Sequence, residues 1–136
     1  TEKDRQKYTS DISFVGSLYS EKNPLRHIKG LSEYAKSYID ALVEAALKIY
    51  GYNPVPDAVT DSLAAEIKAH ADDFYSIEKS IADSGRYVAA HSYIGMQIAE
   101  TERIRTLNTL AAHFHVDLYT LSNTAPCKMC MCAAGS

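Results

Sequence analysis

The sequence predicts a helix-rich α/β chain in which two short strands flank a mainly helical stretch. Three observations carry this reading. Asp11-Ile12-Ser13-Phe14-Val15-Gly16 is a short β-branched and aromatic run stopped by a glycine, the pattern of a buried strand entering a turn. Val116-Asp117-Leu118-Tyr119-Thr120-Leu121 alternates and favours β residues, which makes a second strand. Between the two, apolar residues recur at three- and four-residue steps, as on one face of a helix. Strands joined through helical crossovers lie parallel in one sheet. Two strands are too few to form a covered α/β sheet, so strands are expected to be missing.

Residues 1–10 are polar and charged and read as a flexible lead-in, 11–122 as one domain, and 123–136 as a flexible tail. Asn23-Pro24 marks a helix start, with Asn at the N-cap and Pro at the first helical position; Gly30 ends that short helix. Over 31–50, Leu31, Tyr34, Ala35, Tyr38, Leu42, Ala45 and Ile49 form an apolar stripe, which places Tyr34, Tyr38 and Tyr50 on the buried side. Gly51 and Asn53-Pro54-Val55-Pro56 break the helix. Asp57 then caps a second amphipathic helix carrying Val59, Leu63 and Ile67 at steps of four. The stretch 72–85 has a weak pattern, read as a short helix around Ile77 and Ile81. A long helix is expected from Arg86 to Phe114, with Gly95 marking a kink or a close crossing. Ser122 to Pro126 end the second strand.

The 136 residues are 46% hydrophobic and 23% charged, the make-up of one folded domain rather than a disordered chain. A net charge of −3 argues against a nucleic-acid binder that works through bulk positive charge. No apolar run approaches the roughly 18–20 residues that span a bilayer, and residues 1–10 hold no secretory apolar region. Residue 1 is Thr, not Met, so the chain is expected to begin at a processing or cut site. Charge is uneven: residues 1–30 carry six Lys or Arg against four Asp or Glu, and residues 31–102 carry five against twelve. That acidic middle reads as a solvated helical surface, and it directs the search for an anion site towards the ends.

The strongest local chemistry lies in Phe14-Val15-Gly16-Ser17-Leu18-Tyr19-Ser20-Glu21-Lys22-Asn23-Pro24. A strand ending in Gly and feeding a helix N-terminus offers free backbone N–H groups and a positive dipole end to an anion, beyond the carboxyl end of a strand where α/β ligands sit. Gly16 and Ser17 would lie beside a diphosphate, with Lys22 and Arg26 as countercharge and Tyr19 as the tyrosine nearest the ligand. The competing account is an ordinary turn with a solvated lysine. Neither G-x-G-x-x-G nor G-x-x-x-x-G-K-[ST] is present.

The segment 11–24, with Thr101 to Arg105 and the run from Val116 to Thr120, resembles the C-terminal, nucleotide-sugar-binding domain of group 1 glycosyltransferases, most of all the bacterial CgeB-like branch. The resemblance covers about a third of the chain. It implies a partial Rossmann-like unit from a two-domain enzyme, with Gly16 and Ser17 at the donor phosphates and Lys22 neutralising charge. Many relatives carry Arg where this chain has Ser17, and residues 31–85 count as an insertion. The acceptor domain would precede residue 1 and the ribose-binding acid would follow residue 136. The resemblance therefore implies a fragment of a cytoplasmic glycosyltransferase, inactive alone, whose partners are the donor nucleotide-sugar and the missing parts of the parent chain. Departure of the nucleoside diphosphate needs cationic or helix-dipole stabilisation and no metal. A base to activate the acceptor is also needed, and no residue is assigned to that role.

Cys127, Cys130 and Cys132 in C-x-x-C-x-C spacing, with His113 or His115, are the ligand types of a Zn²⁺ or Cu(I) site. Zinc ribbons need two such pairs, so no metal site is assigned, and three thiols at one end suit a reducing compartment. His113 and His115 read as cations at the C-terminal end of the long helix. Glu100, Glu102, Arg103 and Arg105 read as a solvated charge run. The alternative to the enzyme fragment is a stand-alone helical interaction module, dimerising through unpaired strand edges, with neither nucleic acid nor a membrane span involved.

Overall fold

The computed structural model describes residue 3, residues 10–72, residue 74, residues 85–122 and the backbone of 131–132. Where the sequence reads 11–122 as one domain, the chain divides into two compact units. One is assembled from both ends of the chain, residues 1–21 and 101–136; the other is the continuous stretch 22–100. The helix expected around Ile77 and Ile81 lies outside the described residues, as does most of the lead-in.

The terminal unit is built on a small parallel sheet. β1 (Ile12–Val15) and β2 (Val116–Tyr119) pair parallel, with Ile12 opposite Val116 and Phe14 opposite Leu118. The parallel arrangement agrees with the sequence expectation. Beyond it, β3 (Met131–Cys132) pairs parallel to Asp117 and Leu118, giving the order β1-β2-β3. Here the sequence reading had only a tail; a short strand on the free edge of β2 satisfies backbone groups that would otherwise stand open. β2 is thus central and its Val116, Asp117 and Leu118 are all buried, as a strand covered on both faces should be. Buried Asp117 is met by His115 Nε2 at 3.2 Å, so His115 serves the sheet rather than the end of a helix. Leu18, Leu107, Ala111, Val116 and Leu118 form the core of this unit, with Ile12, Phe14, Ile104 and Leu110 against it.

The helical unit opens at Asn23, whose side chain accepts from Leu25 N–H above a 3₁₀ turn, Pro24–His27. α1 (Glu33–Lys48) is capped by Ser32, whose hydroxyl accepts from Ala35 N–H at 3.1 Å. Its buried stripe is Ala35, Ile39, Leu42 and Val43. That stripe corrects the expected placing of the tyrosines. Tyr34 is 77% exposed and stacks on Tyr38 at 6.0 Å, and Tyr50, beyond the helix end, is 95% exposed. Tyr38 packs partly and donates its hydroxyl to Ala58 O at 2.8 Å, because a Tyr on the flank of an apolar stripe keeps its polar tip within reach of a partner.

α2 is a single turn, Val55–Ala58, and α3 runs Asp61–His70. Asp57 lies inside α2 and not at the cap of α3; Thr60, directly ahead of α3, has its hydroxyl 3.2 Å from Leu63 N–H and fills that role. Val59, Leu63 and Ile67 are all buried, as their four-residue spacing requires.

The expected single long helix is three pieces: α4 (Gly85–Val88), a π-helical segment (Ala89–Ile94) and α5 (Gly95–Ala111). Gly95 N–H donates to Ala90 O, and a β-carbon at Gly95 would stand 3.2 Å from that same oxygen. Glycine here permits the close approach that the wider turn needs. Tyr93 and Ile94 of the π segment enter the core with Ile39, Val43, Ile67 and Phe74, and the Tyr93 and Phe74 rings stack at 5.4 Å.

Candidate functional site

At the carboxyl ends of β1 and β2 the chain turns, and the two turns meet. Just past β1, Gly16 holds φ +153°, and its N–H continues the ladder to Tyr119 O at 3.1 Å. Leu18 then plunges fully into the core, which fixes the loop on either side of it. Leu18 N–H donates to Ser122 Oγ at 3.0 Å, and Ser122 is the third residue beyond β2. Tyr19 N–H donates to Ser17 Oγ at 2.9 Å while Tyr19 holds φ +67°. A non-glycine residue in the left-handed region costs on the order of 1 kcal/mol or more and persists only where its surroundings impose it.

The two serine hydroxyls converge on one carboxylate. Ser17 Oγ donates to Glu21 Oε1 at 2.7 Å and Ser122 Oγ to Glu21 Oε2 at 2.9 Å. Arg103, from α5, completes the cluster. Its Nη1 donates to Ser17 O at 2.6 Å, and its guanidinium lies 4.4 Å from the Tyr19 ring centroid and 5.4 Å from that of Phe14, within the reach of cation–π attraction.

Of the five residues singled out in the sequence, Gly16, Ser17 and Tyr19 are brought together in this turn, while Lys22 and Arg26 belong to the helical unit. The expected α-helix N-terminus after β1 is absent: the chain goes into two 3₁₀ turns, Ser20–Lys22 and Pro24–His27. The N–H groups of Gly16, Leu18 and Tyr19 are already donated within the protein, and the hydroxyls of the turn face a carboxylate. What the arrangement presents is an exposed acceptor ringed by hydroxyls, with one aromatic face and one guanidinium beside it. Sequence reasoning missed Glu21, Ser122 and Arg103. The first two had a signal: residues just past adjacent parallel strands must meet, and Glu21 stands four residues after Ser17.

Arg26 has a different setting. Its Nε donates to Glu100 Oε2 at 3.0 Å and its Nη2 to Glu100 Oε1. Glu100 is 1% exposed and also accepts from Asn23 Nδ2 at 2.6 Å; Asn23 itself is fully buried. The hydrogen bond to Glu100 raises the Arg26 pKa above its ordinary value, against the opposing effect of partial burial. The charge run 100–105 is therefore not simply solvated. Glu100 and Arg103 are built into the protein, and Glu102 and Arg105 stay exposed.

Cys127 and Cys130 lie outside the described residues. Among the described residues no group of three His, Cys, Asp or Glu side chains is placed to hold a metal, and no helix is long and apolar enough to cross a membrane. Compared with known proteins, the chain matches no family model, no curated sequence and no solved structure.

Proposed function

We propose that the chain is part of the donor-binding half of a glycosyltransferase, and that the turn after β1 meets the sugar hydroxyls of the donor nucleotide. The observation that carries the reading is the convergence of Ser17 and Ser122, from the ends of two parallel strands, on the exposed carboxylate of Glu21. Ligands of open α/β sheets bind beyond the carboxyl ends of the strands. A carboxylate held by hydroxyls is an acceptor that a ribose or hexose hydroxyl satisfies equally well, so exchange of a serine for a ligand hydroxyl costs little. Tyr19 supplies a flat apolar face for a sugar ring, and Arg103 supplies countercharge next to it. A phosphate directly in the turn would face the charge of Glu21, so the diphosphate is placed at the margin of the site. No residue is assigned as base, and the chain alone is expected to bind and not to turn over.

The test is an amide-resolved NMR titration of the whole chain with UDP-glucose, with UDP and glucose run separately. Saturable shifts at Gly16, Ser17, Tyr19 and Ser122 with UDP-glucose are expected. Glu21→Gln should weaken that binding by about three- to tenfold, the loss of one charge-assisted hydrogen bond at a wet site. Absence of shifts at those residues, or binding indifferent to Glu21→Gln, overturns the reading.

A further inference from the structure

A cleft of about 410 Å³ opens in the helical unit, floored by Leu25, Leu31 and Ile39 and edged by Arg26, Lys36, Asp40 and Gln97. Its size falls in the range of small-ligand pockets, and its make-up, an apolar floor with a few polar groups, is theirs as well. Arg26 is fixed at the edge before any ligand arrives. Two of its nitrogens are tied to buried Glu100, which Asn23 holds in turn, while Nη1 has no partner among the described residues. A guanidinium locked in this way loses little freedom when it takes a third partner.

The charges around the cleft define what fits it. Arg26 is balanced by Glu100. Lys36 is paired with Glu33 at 3.0 Å, but both are exposed, and a surface pair of that kind yields easily to a better partner. Asp40 has no hydrogen bond or ion pair among the described residues. A plain carboxylate entering the cleft would gain Arg26 and Lys36 and meet the repulsion of Asp40. A plain amine would gain Asp40 and meet two cations. A molecule carrying both charges on an apolar body satisfies Arg26, Lys36 and Asp40 together.

We infer that this cleft binds a small zwitterion with an apolar body, the chemistry of a free apolar α-amino acid. Its carboxylate takes Arg26 Nη1 and Lys36, its ammonium takes Asp40, and its side chain lies on Leu25, Leu31 and Ile39. The inference concerns residues of the helical unit only and stands apart from the sugar-binding reading of the β1 turn.

The experiment is calorimetric titration of the whole chain with leucine, with 4-methylpentanoate, which lacks the ammonium, and with 3-methylbutylamine, which lacks the carboxylate. Leucine is expected to bind at least roughly tenfold more tightly than either analogue. Asp40→Asn should lower leucine affinity to about that of 4-methylpentanoate. Lys36→Gln should weaken leucine and 4-methylpentanoate and, by removing one of the two cations that oppose it, strengthen the amine. Both substitutions are at exposed positions, and an unchanged melting temperature confirms that the variants fold. No saturable leucine binding up to about 10 mM, equal binding of leucine and either analogue, or an Asp40→Asn variant that binds leucine like the parent would each overturn the inference.

Discussion

Glu21 and Glu100 are both held by two or more side-chain hydrogen bonds, yet Glu21 stands at the surface of the terminal unit and Glu100 is 1% exposed within the helical unit. Two of the partners of Glu21 are neutral hydroxyls that water can replace. Glu100 is met by a half-exposed guanidinium and a buried amide, and water hardly reaches the carboxylate itself. The same carboxylate chemistry is thus an exchangeable acceptor in one place and a fixed brace in the other. Solvent access, more than the number of hydrogen bonds, separates a group that can bind from a group that positions.

The contrast makes quantitative demands. Glu100→Ala should be the most damaging change, at about 3–5 kcal/mol, because it takes one of two side-chain acceptors from the buried Asn23 amide and removes the counterion of a half-buried guanidinium; denaturant unfolding reads it. Leu18→Ala should cost about 2–4 kcal/mol, since Leu18 is fully buried and its loss leaves a cavity under the Glu21 turn. If Leu18→Ala leaves stability unchanged, the turn is not anchored as described. Glu66 gives the smallest effect. It is exposed, and the Ser32 N–H at 2.6 Å holds its pKa below the ordinary carboxylate value, chiefly through that hydrogen bond. Because the folded pKa is the lower one, the stabilisation is fully present above the unfolded value near 4.3 and is lost as pH falls through the folded value. Glu66→Gln should therefore differ from the parent in melting temperature near neutral pH and converge with it at acid pH, once the carboxyl is protonated in both folded and unfolded states.

Much of the backbone was legible because its causes are local. Asn23 before Pro24, the steps of four from Val59 to Ile67, and two β-rich runs separated by helix all state their conformation within a few residues. Side-chain destinations were less so. The stripe on α1 was placed one flank too far round, towards Tyr34, because a mixed apolar face does not reveal which of its edges meets the core. Arg26 and Glu100 are 74 residues apart, and nothing in a charge run at 100–105 announces that one member is buried. Ser122 and Glu21 are hidden for a different reason: a Gly-ended strand followed by a lysine advertises donors for a phosphate, whereas the turn is built around an acceptor.

The π segment Ala89–Ile94 has a consequence for how the rest of its helix is to be read. A π turn holds one residue more than an α turn, and one residue is about 100° of rotation. The segment acts as a phase offset: any face counted forward from Gly85 with the ordinary period is misassigned by that angle beyond Gly95. The offset also makes the helix unequal in its tolerance of length change. Removing one residue within 89–94 would turn the wide segment into an ordinary one and leave the later faces aligned. Removing one within 96–99 would carry Glu100 about 100° around the axis, away from Arg26.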